Sequence, residues 1–123
     1  MTKRIEEEIR QRIEMNGSAH NLEQLNLDGI DIRCFTPPIR RLLESCRGLE
    51  YLTLNDCGLS SLENFPTLRH LIGLELSDNR LTGEDLHMLK LCPGINFLSL
   101  DCNEITDINA ALQLQCLPQL DLL

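Results

Sequence analysis

The amino-acid sequence repeats one spacing of apolar residues along nearly its whole length. Residues 71–81 read L-I-G-L-E-L-S-D-N-R-L, with leucine at the first, fourth, sixth and eleventh places and Asn79 at the ninth. The spacing L-x-x-L-x-L-x-x-N-x-L is the signature of a leucine-rich repeat. Similar copies start at residues 22, 49 and 95, and a shortened copy starts at residue 120. The intervals of 27, 22, 24 and 25 residues fall within the roughly 20–29 residues typical of such repeats.

These repeats predict an α/β fold, a right-handed leucine-rich repeat solenoid in a single domain over residues 1–123. Alternation within each repeat turns the fourth and sixth positions inward and the third and fifth outward. One short strand per repeat is therefore expected, and the strands should stack as a parallel concave sheet. The expected strands lie near residues 24–26, 51–53, 73–75 and 97–99.

The convex side is expected to be helical or irregular, with segments of different lengths. Residues 36–38 read T-P-P, which is typical of a helix capped by Thr36 with Pro37 as its first residue. We expect this helix to be the longest on the convex side. Residues 83–91 and 107–115 are predicted to form the third and fourth convex segments.

The two ends of the solenoid are expected to differ. Ile5, Ile9 and Ile13 share one helical stripe, so residues 1–17 are predicted to form an N-terminal helical cap over the first repeat. The basic residues of this helix could instead bind a partner or nucleic acid, but glutamates alternate with them. At the other end, residues 120–123 are expected to leave an open sheet edge and an uncovered leucine face. That end predicts self-association or fraying.

Charge and cysteine usage indicate the setting of the protein. Residues 1–49 contain eight Lys/Arg and eight Asp/Glu, whereas residues 50–123 contain three and eleven, so the second half carries the whole net charge of −8. Such a surface disfavours direct nucleic-acid binding and favours basic partners, or simply keeps a repeat array soluble. Cys46 and Cys92 fall at buried repeat positions and Cys57 in the asparagine position. We therefore expect six free thiols in an intracellular protein, with no membrane segment.

The outward positions of the strands supply the candidate partner-binding residues. Carboxylates follow the strands at the same sheet edge, and two aromatic residues occupy third positions. Neighbouring strands lie about 4.8 Å apart, so the carboxylates are expected to form an acidic row beside the exposed aromatics. Alternatively, each aspartate only accepts hydrogen bonds from backbone N–H groups of the bend that it occupies. The candidate residues are Asp28, Tyr51, Asp56, Glu75, Asp78, Phe97 and Asp101.

No catalytic or metal site is expected from this sequence. His20, His70 and His87 occur singly, without a paired nucleophile or a metal-ligand spacing. Phosphate-binding glycine motifs are also missing, and no cofactor is expected.

Several residues outside the repeat pattern resemble one family. The segments L-E-L-S-D-N-R at 74–80, C-P at 92–93 and N-E-I-T-D at 103–107 are similar to the acidic leucine-rich nuclear phosphoprotein family. Residues 3–12 resemble the N-terminal cap of that family, and L-N-L-D-G at 25–29 resembles its first repeat. The similarity spans nearly the whole chain.

The resemblance implies a protein-binding regulator of the nucleus and cytoplasm. Its expected partners are histones or other basic proteins and the catalytic subunit of phosphatase type two-A. The roles implied are chromatin and transcription regulation, messenger RNA export, apoptosis, phosphatase inhibition and chaperone-like binding. The family's closing cap and long acidic tail do not occur in this sequence, and Ile30 stands where cysteine is frequent. Two alternatives are a structural subunit of a spliceosomal ribonucleoprotein and a phosphatase regulatory subunit.

Overall fold

A computed structural model describes the protein over residues 2–106 and at residues 114, 117 and 118, with side chains from residue 4 onward. Each repeat that starts at residue 22, 49, 71 or 95 contributes one three-residue strand. The elements in chain order are α1 (Thr2–Met15), β1 (Gln24–Asn26), α2 (Pro37–Glu44), β2 (Tyr51–Thr53), β3 (Gly73–Glu75), a 3-10 helix (Gly83–Leu91) and β4 (Phe97–Ser99).

The four strands form one parallel sheet in sequence order, with each strand paired to the next. Leu25, Leu52, Leu74 and Leu98 occupy the same place in the register. The first three of these side chains are buried, and Leu98 packs against the same core half-buried. The strand positions and the parallel solenoid arrangement predicted from the repeats are confirmed.

Helix α1 packs against the first repeat. Ile9 and Ile13 are buried in the core and Ile5 packs partly buried against it, so the isoleucine stripe faces inward as predicted. The helix contacts both β1 and α2. The Arg12 Nη1 group also donates a hydrogen bond to the Asn26 carbonyl oxygen at 3.0 Å, which links α1 to the end of β1.

A buried amide connects the second and third repeats. The Asn79 Oδ1 atom accepts hydrogen bonds from the backbone N–H groups of Cys57 and Leu59, both at 3.0 Å. Its Nδ2 group donates to the carbonyl oxygens of Leu54 at 3.0 Å and Leu76 at 2.9 Å. The repeat motif places asparagine here because this one side chain satisfies backbone donors and acceptors of two turns at once.

In the preceding repeat, cysteine takes the place of that asparagine. The Cys57 Sγ atom is buried and lies 3.2 Å from the Leu27 carbonyl oxygen, to which its thiol donates. The repeat after that of Asn79 has Asn103 at this position, and the Asn103 Oδ1 atom accepts from the Leu81 N–H at 3.0 Å. We call this series of contacts between consecutive repeats, made by Cys57, Asn79 and Asn103, the asparagine ladder. The thiol of Cys57 satisfies fewer backbone groups than the amide of Asn79 does.

Helix α2 starts as the sequence predicts. Thr36 Oγ1 accepts from the Ile39 N–H at 3.4 Å, and Pro37 is the first helical residue. The prediction that α2 is the longest convex helix is wrong, because α2 has eight residues and the 3-10 helix Gly83–Leu91 has nine. The longer segment buries Gly83, Leu86 and Leu89, and this three-residue period matches the three residues per turn of a 3-10 helix.

Convex contacts also join the first repeat to the second. The Glu44 Oε2 atom accepts from the Thr67 N–H at 2.7 Å and from the Arg40 Nε group at 3.2 Å. Burial acts to raise the pKa of Glu44, but these hydrogen bonds and the charge of Arg40 outweigh it and leave the pKa below its ordinary value. The rings of Phe35 and Phe65 meet edge to face with centroids 5.2 Å apart.

Two predictions fall outside the described residues. They are the fourth convex segment at 107–115 and the shortened repeat at 120–123, together with the self-association expected from that end. Within the described part of the chain, no helix is long and apolar enough to cross a membrane.

Cysteine labelling should separate buried from exposed thiols. Cys34, Cys46, Cys57, Cys92 and Cys102 are free, and burial raises the pKa of Cys57 to about 12 and that of Cys92 to about 11. Since the thiolate is the reactive form, alkylation of the native protein at neutral pH should label Cys34 first and leave Cys46, Cys57 and Cys92 protected. Mass analysis of the unfolded, unreduced protein should count six labels. A disulfide, or buried thiols that react as fast as Cys34, would contradict this prediction.

Candidate functional site

Two aromatic side chains meet on the concave surface of the sheet. Tyr51 in β2 and Phe97 in β4 have ring centroids 6.1 Å apart and planes inclined by 29°, although β3 lies between their strands. Gly73 makes this possible, because a Cβ atom there would lie 2.3 Å from Tyr51 Cε2. The Tyr51 ring covers Gly73, which is buried although its repeat position was predicted to face outward. Phe97 remains 47% exposed.

The variant Gly73→Ala is expected to displace the Tyr51 ring from this stack. The new methyl group would occupy the volume of the ring, which can rotate because it lies at the surface, so stability should change by no more than about 1 kcal/mol. Tyr51 is the one tyrosine and the sequence has no tryptophan, so intrinsic fluorescence reports on this ring alone.

The matched control for this variant is Gly48→Ala. The nearest atoms to a Cβ at Gly48 lie 4.0 Å away, so this variant should leave the fluorescence of Tyr51 unchanged. Unchanged fluorescence in Gly73→Ala, or unfolding at a much lower urea concentration, would contradict the described packing.

The four predicted aspartates lie past the carboxyl ends of the strands, but not in a single row. Backbone hydrogen bonds of 2.9 to 3.0 Å continue the strand register into this edge. The register places Asp28, Asn55, Ser77 and Asp101 in one column and Gly29, Asp56, Asp78 and Cys102 in the next. The acidic edge is therefore two columns wide, and asparagine, serine, glycine and cysteine alternate with the carboxylates.

The second column has a conformational reason for its composition. Gly29, Asp56, Asp78 and Cys102 all have positive φ, at 82°, 55°, 59° and 59°. Glycine, asparagine and aspartate enter this left-handed region at the lowest cost. The left-handed backbone therefore favours aspartate at 56 and 78, and both side chains remain exposed to solvent.

Asn55 was not predicted, yet it organises the middle of the acidic edge. Its Nδ2 group donates to Asp28 Oδ2 at 3.3 Å and to Glu75 Oε1 at 3.0 Å, and its Oδ1 atom accepts from the Ser77 N–H at 2.8 Å. The Asn55 N–H also donates to Asp28 Oδ1 at 2.8 Å. Asp28 and Glu75 are thus held in place by one amide. The sequence feature that could have indicated this role is the position of Asn55, whose amide falls in the same column as Asp28.

The remaining carboxylates of this edge have no cationic partner among the described residues. The ion pairs in that part of the chain are Arg33–Asp31, Arg40–Glu44 and Arg80–Glu104, and none of them includes a predicted site residue. The local potential is negative, since the charge of Asp78 raises the pKa of the neighbouring Cys102 thiol. Asp56, Asp78 and Asp101 are exposed at this edge, while Asp28 and Glu75 are half-buried.

A second concavity lies away from this edge, between α1 and the start of α2. It encloses about 460 Å³, and its walls combine the isoleucines Ile5, Ile32 and Ile39 with charged residues of both signs. Among the residues that the structure describes, no three His, Cys, Asp or Glu side chains cluster in a way that could hold a metal ion.

One short parallel strand per repeat, an asparagine ladder behind the sheet and an exposed concave face define this chain as a leucine-rich repeat protein. The tropomodulin C-terminal domain of Caenorhabditis elegans has a similar fold, with a TM-score of 0.51, 16% identity and coverage of 93% of this chain and 92% of that one. No model of a known protein family matches the chain.

Relatives of higher sequence identity show which group of leucine-rich repeat proteins this chain is similar to. Acidic leucine-rich nuclear phosphoprotein 32 family member A of Drosophila pseudoobscura pseudoobscura is 39% identical over 108 residues, and that of Drosophila melanogaster is 38% identical over 108 residues. Both matches cover 88% of this chain. The chain belongs to the acidic leucine-rich nuclear phosphoprotein 32 family. It spans 37% and 38% of the length of these two relatives.

A third relative has a different name. A protein of Tetrahymena thermophila that is named as a histone is 39% identical over 92 residues, which cover 72% of this chain and 24% of that protein. A stretch of that protein is therefore similar to the leucine-rich repeats described here.

Proposed function

We propose that this chain is a non-enzymatic, protein-binding regulator whose concave face binds basic segments of proteins such as histones. The observation that carries the proposal is that the Tyr51–Phe97 stack and the exposed carboxylates of Asp56, Asp78 and Asp101 belong to the same strands and the turns that follow them. Exposed aromatics contribute apolar contact area, and the carboxylates, which have no cationic partner among the described residues, attract cations. Both features belong to the outward face of the sheet and the turns that follow its strands.

The comparisons support the same kind of partner. The family name designates nuclear phosphoproteins, so the nucleus is a compartment in which a basic partner such as a histone is available. A stretch of a protein named as a histone is also similar to these repeats, which is a further reason to test histone segments as ligands. The free thiols among the described cysteines suit a reducing compartment, so we extend the proposal to a cytoplasmic population.

A salt titration tests the proposal. The affinity for an isolated histone tail peptide should fall steeply as ionic strength rises, because the screening length shrinks from about 10 Å at 0.1 M salt to about 3 Å at 1 M. Each exposed ion pair contributes only about 0.2–1 kcal/mol, so binding requires several carboxylates together. Isothermal titration calorimetry at two salt concentrations measures this directly. An affinity that does not depend on salt, or no binding, would reject the proposal.

Wider roles follow from the family and are part of the proposal. They include inhibition of phosphatase type two-A, chaperone-like binding, and effects on chromatin and transcription, nucleocytoplasmic transport and apoptosis. A pull-down that compares histones, the phosphatase catalytic subunit and a spliceosomal RNA-binding protein side by side would separate these roles from those of a ribonucleoprotein subunit. Retention of the histones in preference to the other two is the expected result.

A further inference from the structure

Phe97 is a large apolar residue that packing in the core does not account for, because it is exposed to solvent. Phe97 is 47% exposed at a strand position that faces away from the core, and only the Tyr51 ring stacks against it. The faces of an aromatic ring carry partial negative charge and attract cations. An exposed ring on a surface that also carries carboxylates is therefore suited to a cationic side chain as well as to apolar contact.

Glu75 provides a fixed carboxylate near this ring. Gly73 pairs with Phe97 across the sheet, and Glu75 follows Gly73 by two residues on the same face of β3. The Cα atoms of the two residues are thus separated by one strand spacing of about 4.8 Å and a rise of about 6.6 Å. Asn55 holds Glu75 Oε1 at 3.0 Å, whereas Oε2 has no hydrogen-bond partner among the described residues.

We propose that Phe97 and Glu75 form a subsite that recognises an arginine side chain of the bound segment. The inference rests on the proposed function and makes it more specific. A guanidinium group is planar, so it can stack on the Phe97 ring while its edge donates hydrogen bonds to Glu75 Oε2. A lysine ammonium has no flat face to stack and is more strongly hydrated. Asn55 acts as a positioning residue, because it fixes the carboxylate before the ligand arrives.

The test compares two peptides of equal length and equal charge, one with arginine and one with lysine at every basic position. Neither peptide contains tyrosine or tryptophan, so the fluorescence of Tyr51 reports binding at this site. The arginine peptide should bind more tightly by up to about fivefold, the full value of a cation–π contact at an exposed ring, since lysine retains part of that contact. It should also change the Tyr51 emission more than the lysine peptide does.

Variants of the two residues assign the preference. Phe97→Leu should remove the arginine preference and keep the salt-dependent affinity, whereas Phe97→Tyr should retain the preference. Glu75→Gln can still accept from Asn55 and should reduce the preference. Glu63→Gln removes the same charge from an exposed position outside the sheet and should leave the ratio of affinities unchanged. Urea unfolding of each variant verifies that the fold is intact.

The outcomes distinguish this inference from the proposed function. Equal affinities for the two peptides, both sensitive to salt, would overturn the arginine subsite and leave binding of basic segments in place. An arginine preference that survives both Phe97→Leu and Glu75→Gln would also overturn it. Failure of both peptides to bind would overturn the subsite and the proposed function together.

Discussion

Replacing Asn79 with alanine should lower the free energy of unfolding by about 2–6 kcal/mol. The buried N–H groups of Cys57 and Leu59 would lose their acceptor, and each unsatisfied group costs about 1–3 kcal/mol. The carbonyl oxygens of Leu54 and Leu76 lose a donor as well. Since the total stability of a small domain is about 5–15 kcal/mol, this one substitution should remove a large share of it. Urea denaturation followed by circular dichroism measures the change.

The next asparagine of the ladder is the matched control. Asn103 is half-buried, and among the described residues its Oδ1 atom accepts one hydrogen bond, from the Leu81 N–H. Asn103→Ala should therefore cost less than Asn79→Ala. Equal urea midpoints for the two variants would contradict the described difference in burial and hydrogen bonding. An Asn79→Ala protein as stable as the parent would show that these asparagines do not hold the repeats together.

The second large effect concerns binding. The triple variant Asp56→Asn, Asp78→Asn, Asp101→Asn should weaken binding of a histone tail peptide by about 3- to 150-fold, because three contributions of about 0.2–1 kcal/mol each add in free energy. Asparagine is the suitable replacement because it tolerates the positive φ of residues 56 and 78. The fold should thus remain intact while three charges are lost.

A control with the same change in charge separates local from overall electrostatics. Glu7, Glu14 and Glu63 are exposed and lie outside the sheet, on α1 and in a loop. Replacing these three with glutamine also takes the net charge from −8 to −5, since three negative charges are removed. This variant should lose much less affinity than the aspartate triple variant. Equal losses would mean that binding responds to the net charge and not to the concave edge.

Much of the fold could be predicted from the sequence, because the spacing of apolar residues within each repeat indicates which residues face the core. The leucine spacing gave the strand positions, and the T-P-P segment gave the start of α2. The relative lengths of the convex segments were predicted wrongly. Leu86 and Leu89 recur at a spacing that both an α-helix and a 3-10 helix can bury, and only the packing against the repeats decides between them.

The site was predicted as a set of residues, but its arrangement depends on contacts between distant repeats. The sequence showed an aspartate near each strand end and did not show the one-residue offset that divides the acidic edge into two columns. It also placed Gly73 on the exposed face, whereas the missing side chain lets Tyr51 reach toward Phe97 over it. A glycine between two aromatics in one column is the signal that indicates such a stack.

The most direct test of the central claim is a map of where a basic segment binds. Amide chemical shifts of isotopically labelled protein, recorded while a histone tail peptide is added, locate the contact residue by residue. Binding through the concave face predicts perturbations in β2, β3, β4 and the turns that contain Asp56, Asp78 and Asp101. Residues of α1, α2 and the 3-10 helix should remain unperturbed. Perturbations confined to those helices, or none at saturating peptide, would contradict the claim.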